Sequence, residues 1–243
     1  MKPVDILAVV AHPDDAEISV GGTLLLAKKR GLRTAIIDAT RGEMGTRGSR
    51  EVRDREAEAA SRVLELDERC NLELPDGRVQ VTLEAREHLA RLLRDLRPTV
   101  VLTHTVDDLH PDHAAVGRLC REAWYLSGLN RLAEESGGSP ARRPPRLYHF
   151  LSHVNFRPTF VVDIGEVWEQ KRELVRCFAS QLEPASGEDK GDHFLFGADI
   201  LTRMETKARF HGESIGVAVG EPLLHLGPLP FGDTLLDLEP GEG

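Results

Sequence analysis

Two short segments of the chain concentrate groups able to hold a metal and move protons. Ala11-His12-Pro13-Asp14-Asp15-Ala16-Glu17 sets an imidazole beside two adjacent carboxylates directly after an apolar run, and His110-Pro111-Asp112-His113 adds two more imidazoles. Hydrolytic zinc takes three protein ligands from His, Asp or Glu and keeps a position open for water. His12, Asp15 and His113 make such a set, and two imidazoles with one carboxylate also suit iron(II). Asp14 then stands beside a ligand without being one, free to take a proton from a water on the metal as it attacks a carbonyl. The remaining imidazole, His110, when protonated can stabilise a tetrahedral oxyanion or give a proton to a leaving amine. Asp112 can fix the tautomer of His110 or orient His113.

Each piece also has an ordinary reading. Pro13 and Asp14 are turn residues, Asp15 can simply cap a helix, and His110 alone suits a structural part as well as a catalytic one. The two clusters together say more, because turns do not call for three histidines. His104, at a strand end, reads as a core histidine satisfied by backbone. His88 reads as solvated, while His149, His153, His193, His211 and His225 show no ligand spacing. Gly21-Gly22 and Gly42, Gly45 and Gly48 do not form a dinucleotide-binding fingerprint after the first strand. Arg50, Arg53 and Arg55 read as a solvated helix face that begins near the same rim.

The elements that must position these groups follow from hydrophobic pattern. Ile6–Val10 is a short apolar run, as a strand buried on both faces requires, and Gly21-Gly22-Thr23 leads into a helix ending near Gly31. A strand at Arg33–Ala39, a Gly-rich loop at Arg41–Ser49 and a charged helix at Arg50–Leu66 come next. The helix Leu83–Leu96 closes before Pro98 and is succeeded by the strand Thr99–Thr103. The segment Glu134–Pro145 reads as a loop or flexible surface flap, followed by strands at Leu147–Ser152 and Thr159–Val162. Helices at Val167–Phe178 and from about Gly197 to His211 complete the pattern, and the tail from Gly227 is irregular. Alternating strands and helices predict an α/β fold, a Rossmann-like, mostly parallel sheet with helices on both faces. Ligands of such sheets collect outside the carboxyl ends of the strands, where both His-rich segments fall.

Composition narrows the function. The 243 residues suit one domain, 1–243, and a formal charge of -9 offers no cationic surplus for nucleic acid or anionic membrane. Cys70, Cys120 and Cys177 lack paired spacing, so neither a disulfide framework nor a thiolate zinc knuckle is expected. A cytoplasmic location is expected from this cysteine usage and from the acidic residue, Asp5, where a signal peptide would be apolar.

The first segment with Gly21-Gly22, Thr40-Arg41-Gly42-Glu43 and His110-Pro111-Asp112-His113 resembles the LmbE-like (PIG-L) family of N-acetylglucosamine deacetylases. The resemblance runs from Val4 to about His211, and with Leu74-Pro75-Asp76 and Ser180-Gln181 it is most similar to the bacillithiol-biosynthesis branch. That branch hydrolyses the acetamide of an N-acetylglucosaminyl malate, commonly as a hexamer. The resemblance implies zinc on His12, Asp15 and His113, Asp14 as general base, His110 as transition-state stabiliser and Asp112 as its supporting carboxylate. It also implies substrate contacts by Arg53, Asp76 and Glu43. Leu109 departs from that branch, in which an arginine often precedes the second motif, and Asp107 and Asp108 depart from mycothiol-type relatives, some of which carry a tyrosine there. Arg142, Arg143 or Arg146 of the 137–146 segment are candidate replacement cations.

The expected activity is therefore removal of acetyl from a GlcNAc-containing small molecule, N-acetylglucosaminyl malate first. A chitobiose-like sugar or a thiol-conjugate amide is the alternative within the class. A non-catalytic metal- or nucleotide-binding module is the rival from another class, disfavoured by an intact Asp14 beside a complete ligand set. A nucleic-acid or protein scaffold is disfavoured by net acidity, and a homo-oligomer is expected from the resemblance.

Overall fold

The structure is a computed structural model that describes residues 2–45, 47–182 and 200–229. In chain order the strands and helices are β1 (Ile6–Val10), α1 (Asp15–Lys29), β2 (Thr34–Asp38), α2 (Arg50–Leu64), β3 (Glu68–Asn71) and α3 (Leu83–Leu96). They continue with β4 (Val100–His104), α4 (Pro111–Leu126), α5 (Asn130–Ser136), β5 (Arg146–Phe150) and β6 (Phe160–Asp163). A short 3-10 turn leads into α6 (Trp168–Arg176), followed by α7 (Ala179–Leu182), α8 (Ile200–Glu213) and β7 (Gly220–Leu224).

The seven strands lie in the order β3-β2-β1-β4-β5-β7-β6. The first five are parallel, and β7 runs antiparallel to both β5 and β6. β1 shows why its sequence is uninterruptedly apolar. Ala8 and Val10 pack with Leu24, Ala60 and Phe178 on one face, while Leu7 and Val9 pack with Leu89, Leu93 and Leu119 on the other. The chain leaves β1 toward β2 on one side, whereas β4 lies on the other, so the loops after β1 and β4 meet at a point where the strand order reverses. Such a crevice is where open α/β sheets bind ligands.

α3 has the bounds its pattern predicts, with the Thr82 side chain accepting from Ala85 N–H and Arg97 turning left-handed before Pro98. α1 begins earlier than the glycine pair suggests and is broken at Val20 (φ -135°, ψ 16°). The break has a partner. Glu221 of β7 accepts from the N–H groups of Gly22 and Thr23 at 2.8 and 2.7 Å, and Lys171 of α6 reaches the same carboxylate at 2.6 Å. A Cβ on Gly22 would lie 2.8 Å from Ile164 and 2.9 Å from Glu221, so the glycine permits this approach. Both charged side chains are only 2 % exposed. Glu221→Ala is therefore expected to cost about 3–5 kcal/mol, because it leaves the Lys171 ammonium buried without a counter-ion. Urea unfolding measures this, and an unchanged midpoint would show that the pair contributes nothing.

The 134–145 segment differs from its expectation. Its first three residues belong to α5, and Arg94 of α3 donates to Ser136 Oγ and to the carbonyls of Gly137 and Ser139. The segment is pinned to α3 rather than hung over the rim as a flap. The end of the tail, the first residues of the last expected helix and His193 lie outside the described residues. Among the described residues no helix is long and apolar enough to cross a membrane.

Candidate active site

The turn after β1 is held by its own residues. His12 N–H donates to Asp15 Oδ2 at 2.9 Å, and Asp14 takes a positive φ of 122° at the start of α1. Few non-glycine residues adopt such a backbone, and it recurs where function holds a side chain in place. On the neighbouring strand end, α4 starts with Pro111 at its first position, and His110 Nδ1 accepts from Asp112 N–H at 3.2 Å. That bond fixes the His110 hydrogen on Nε2.

The two loops bring His12, Asp15 and His113 together, with one donor atom from each lying within 4.8 Å of the others. Asp15 stands between the imidazoles, 3.3 Å from His12 Nδ1 and 3.3 Å from His113 Nε2. The outer nitrogens face carboxylates. His12 Nε2 is 3.1 Å from Asp76 and 3.5 Å from Asp112, and His113 Nδ1 is 3.4 Å from Asp108. Histidines that ligate metals characteristically turn their second nitrogen to a carboxylate in this way. Burial opposes charge on His12, yet Asp112, Asp15 and Asp76 outweigh it and hold the imidazole well above its ordinary pKa. Asp76 is held down to about 2 against its own burial by His12 and the Met44 N–H. The cluster thus draws in positive charge, and its donor set fits a divalent ion.

Asp14 lies beside this set and bonds Arg53 Nη1 through Oδ2 at 3.2 Å. Burial pushes its carboxyl above the ordinary range against the pull of Arg53. Burial, with the neighbouring His113 and His12, lowers the His110 pKa to about 4. All five residues line one cavity of about 390 Å³, within the range of small-molecule sites.

Several expectations need correction. Asp112 bonds His110 through its backbone N–H, and no hydrogen bond joins its carboxylate to His110 or His113. That group accepts from Gly77 and Val79 N–H and faces His12, because consecutive residues of a helix point in different directions. Arg53 is not a solvated residue but 3 % exposed, donating to Asp14 and to Pro13 O, and a Cβ on Gly42 (φ 68°) would press on its guanidinium. Asp76 lines the cavity but is engaged with His12, and Glu43 accepts from Asp76 N–H instead of lining the cavity. Arg142, Arg143 and Arg146 do not line it. Arg143 stacks on Trp124 and Tyr125 instead.

Other residues at the site carry no spacing pattern. His104 is wholly buried; its Nε2 accepts from Ala11 N–H and lies 3.3 Å from Asp15 Oδ2, so backbone alone does not account for it, and its Nδ1 is 2.9 Å from Ser152 Oγ. Its ring stacks 4.1 Å from that of His113. Asp108 accepts from His110 N–H and from His153 Nδ1 while facing His113. The signal for His153 is the strand expected before it, since β5 pairs with β4 and opens on the same rim. Asp108→Asn is expected to weaken metal retention about 10–100-fold. Dialysis against a graded chelator reads this, and unaltered retention would remove Asp108 from the support of His113.

Comparison with known proteins accords with this geometry. The model of the family PIG-L, GlcNAc-PI de-N-acetylase, matches residues 7–124. A diacetylchitobiose deacetylase of Thermococcus kodakarensis is 30% identical over 194 residues, 72% of this chain and 69% of that one. The chain belongs to the PIG-L family. Another relative, a probable N-acetyl-alpha-D-glucosaminyl L-malate deacetylase 2 of Bacillus subtilis, is 29% identical, with 73% of this chain and 83% of that one covered. The PIG-L fold described above superposes on the crystal structure of a conserved protein from Thermus thermophilus with a TM-score of 0.82 and 37% identity, covering 93% and 96% of the two chains.

Proposed function

We propose that this chain is a metal-dependent N-deacetylase that hydrolyses the acetamide of a GlcNAc-containing small molecule, giving acetate and a free amine. The observation that carries this reading is the convergence of His12, Asp15 and His113 beside Asp14 on one cavity. We assign His12, Asp15 and His113 as the residues that would hold the ion. Zinc is the ion proposed, and iron(II) suits the same donors. Bound there, the ion supplies the Lewis acidity that activates water and polarises the acetamide carbonyl.

Asp14 takes the proton of the attacking water and returns it to the departing nitrogen. Arg53 occupies one oxygen of Asp14 and so orients the other toward this transfer. His110, its Nδ1 already bonded, donates from Nε2 to the oxyanion that develops on the carbonyl. This requires the neutral tautomer rather than the protonated ring expected from sequence. Arg53, Asp76 and Glu43 act mainly through Asp14, His12 and the Asp76 backbone respectively, with Arg53 and Asp76 also bordering the substrate.

The substrate proposed first is N-acetylglucosaminyl malate, supported by the malate-type relative, which would place the enzyme in bacillithiol biosynthesis. A chitobiose-like sugar is the second reading, favoured by the archaeal relative. A cytoplasmic homo-oligomer is proposed with it, its size readable by light scattering. The test is acetate and amine release by the metal-loaded chain from a panel of GlcNAc glycosides that includes both compounds. Equimolar release from at least one supports the reading, and inactivity on all, with metal bound, overturns it.

A further inference from the structure

The positive side chains of the cavity are unequally partnered. Arg53 lies against Asp14, and Lys171 lies against Glu221. Lys207 of α8 also lines the cavity, but its Nζ donates to the backbone carbonyl of Ser152, and no carboxylate among the described residues comes within ion-pair distance of it. Arg203 lines the same cavity one helical turn earlier, so α8 presents two like charges on one face.

The ammonium is half-buried, and burial together with Arg203 lowers its pKa to about 8 against the pull of Asp108. Holding an ammonium partly away from water with a backbone carbonyl as its direct partner favours a negative group that comes to it. Its place in the site is definite. Ser152, which it contacts, carries the hydroxyl bonded to His104, and the next residue, His153, stacks 4.9 Å from His113. A group resting on Lys207 is thus adjacent to the reacting floor of the cavity without belonging to it.

We propose that Lys207 is a specificity-determining residue that receives a carboxylate of an anionic aglycone attached to the GlcNAc unit. The proposal rests on the N-deacetylase reading above and goes beyond it by assigning the negative end of the substrate to α8. Lysine suits this as a point charge on a flexible stem, able to leave a carbonyl for a stronger acceptor.

The experiment compares the wild type with Lys207→Met and Lys207→Arg on N-acetylglucosaminyl L-malate and on the neutral methyl glycoside of GlcNAc, after circular dichroism has shown that the variants fold. For Lys207→Met the ratio of kcat/KM for the malate to that for the neutral glycoside is expected to fall about tenfold or more, mainly through KM. Lys207→Arg restores most of the ratio. A ratio unchanged in Lys207→Met overturns the proposal, as does a wild type that does not prefer the anionic compound. Should the wild type release amine from neither of these compounds nor from any other glycoside of the panel, the N-deacetylase reading fails and calorimetric titration with the malate glycoside decides the rest. Binding weakened in Lys207→Met then sustains the anion site, and equal or absent binding overturns it.

Discussion

Asp14→Asn is expected to keep its metal and lose about two to four orders of magnitude in kcat for amine release, the range that a positioned general base contributes. The substitution isolates proton transfer from everything else that Asp14 does. Its side-chain oxygen can still accept from Arg53, so the buried guanidinium keeps a partner at the position it occupies 3.2 Å from Asp14. Asparagine also tolerates the positive φ of 122° better than most residues, so the turn holding His12 and Asp15 should persist. KM and metal content should therefore move little while kcat collapses. Metal analysis by mass spectrometry alongside initial rates distinguishes the outcomes. A metal-replete variant within a factor of about ten of the wild type would remove Asp14 from the base role.

His113→Ala should be more damaging still, abolishing metal binding and reducing turnover to background. His113 is the meeting point of the site. Its Nε2 lies 3.3 Å from Asp15, and its ring stacks 4.1 Å from His104 and 4.6 Å from His110. Truncation removes a ligand and leaves a hole among buried rings, and added metal should not rescue it. Thermal unfolding supplies a readout independent of catalysis. A ligand at one hundred times its Kd stabilises a fold by about 2.7 kcal/mol, so chelation should lower the Tm of the wild type. The Tm of His113→Ala should not respond to the same chelator. A response equal to the wild type's would place the metal elsewhere.

The expectation of a parallel α/β sheet with a rim site is legible because the residues that specify it are local. β1 and β4 are short apolar runs, α3 carries a capping Thr82 and a stop before Pro98, and the proposed ligands sit in two compact motifs at strand ends. The elements missed have contrary local chemistry. β3 reads Glu-Arg-Cys-Asn and lies at a sheet edge, where Arg69 reaches Asp38 and Glu17. β7 contains Pro222, and β7 holds its place by pairing antiparallel with β5 and β6, contacts far away in sequence. The same division holds in the site. His12, Asp15 and His113 show themselves by spacing, whereas Asp108, His153 and Lys207 are brought to its neighbourhood only when α4, β5 and α8 have packed. The neighbours of Asp112 are not legible in the sequence because its direction depends on where α4 begins, and no motif states that.

The bond from Glu221 to the broken middle of α1 has a consequence for how the protein is made. Asp15, at the head of α1, and Gly22, seven residues on, leave the ribosome early, while Glu221 is among the last described residues to follow. Until then the Gly22 and Thr23 N–H groups lack their acceptor and Lys171 lacks its counter-charge. The helix that begins with Asp15 is therefore secured only when translation has passed β7. Emergence of β7, rather than of the His-rich motifs, is expected to set when the proposed ligand cluster becomes firm.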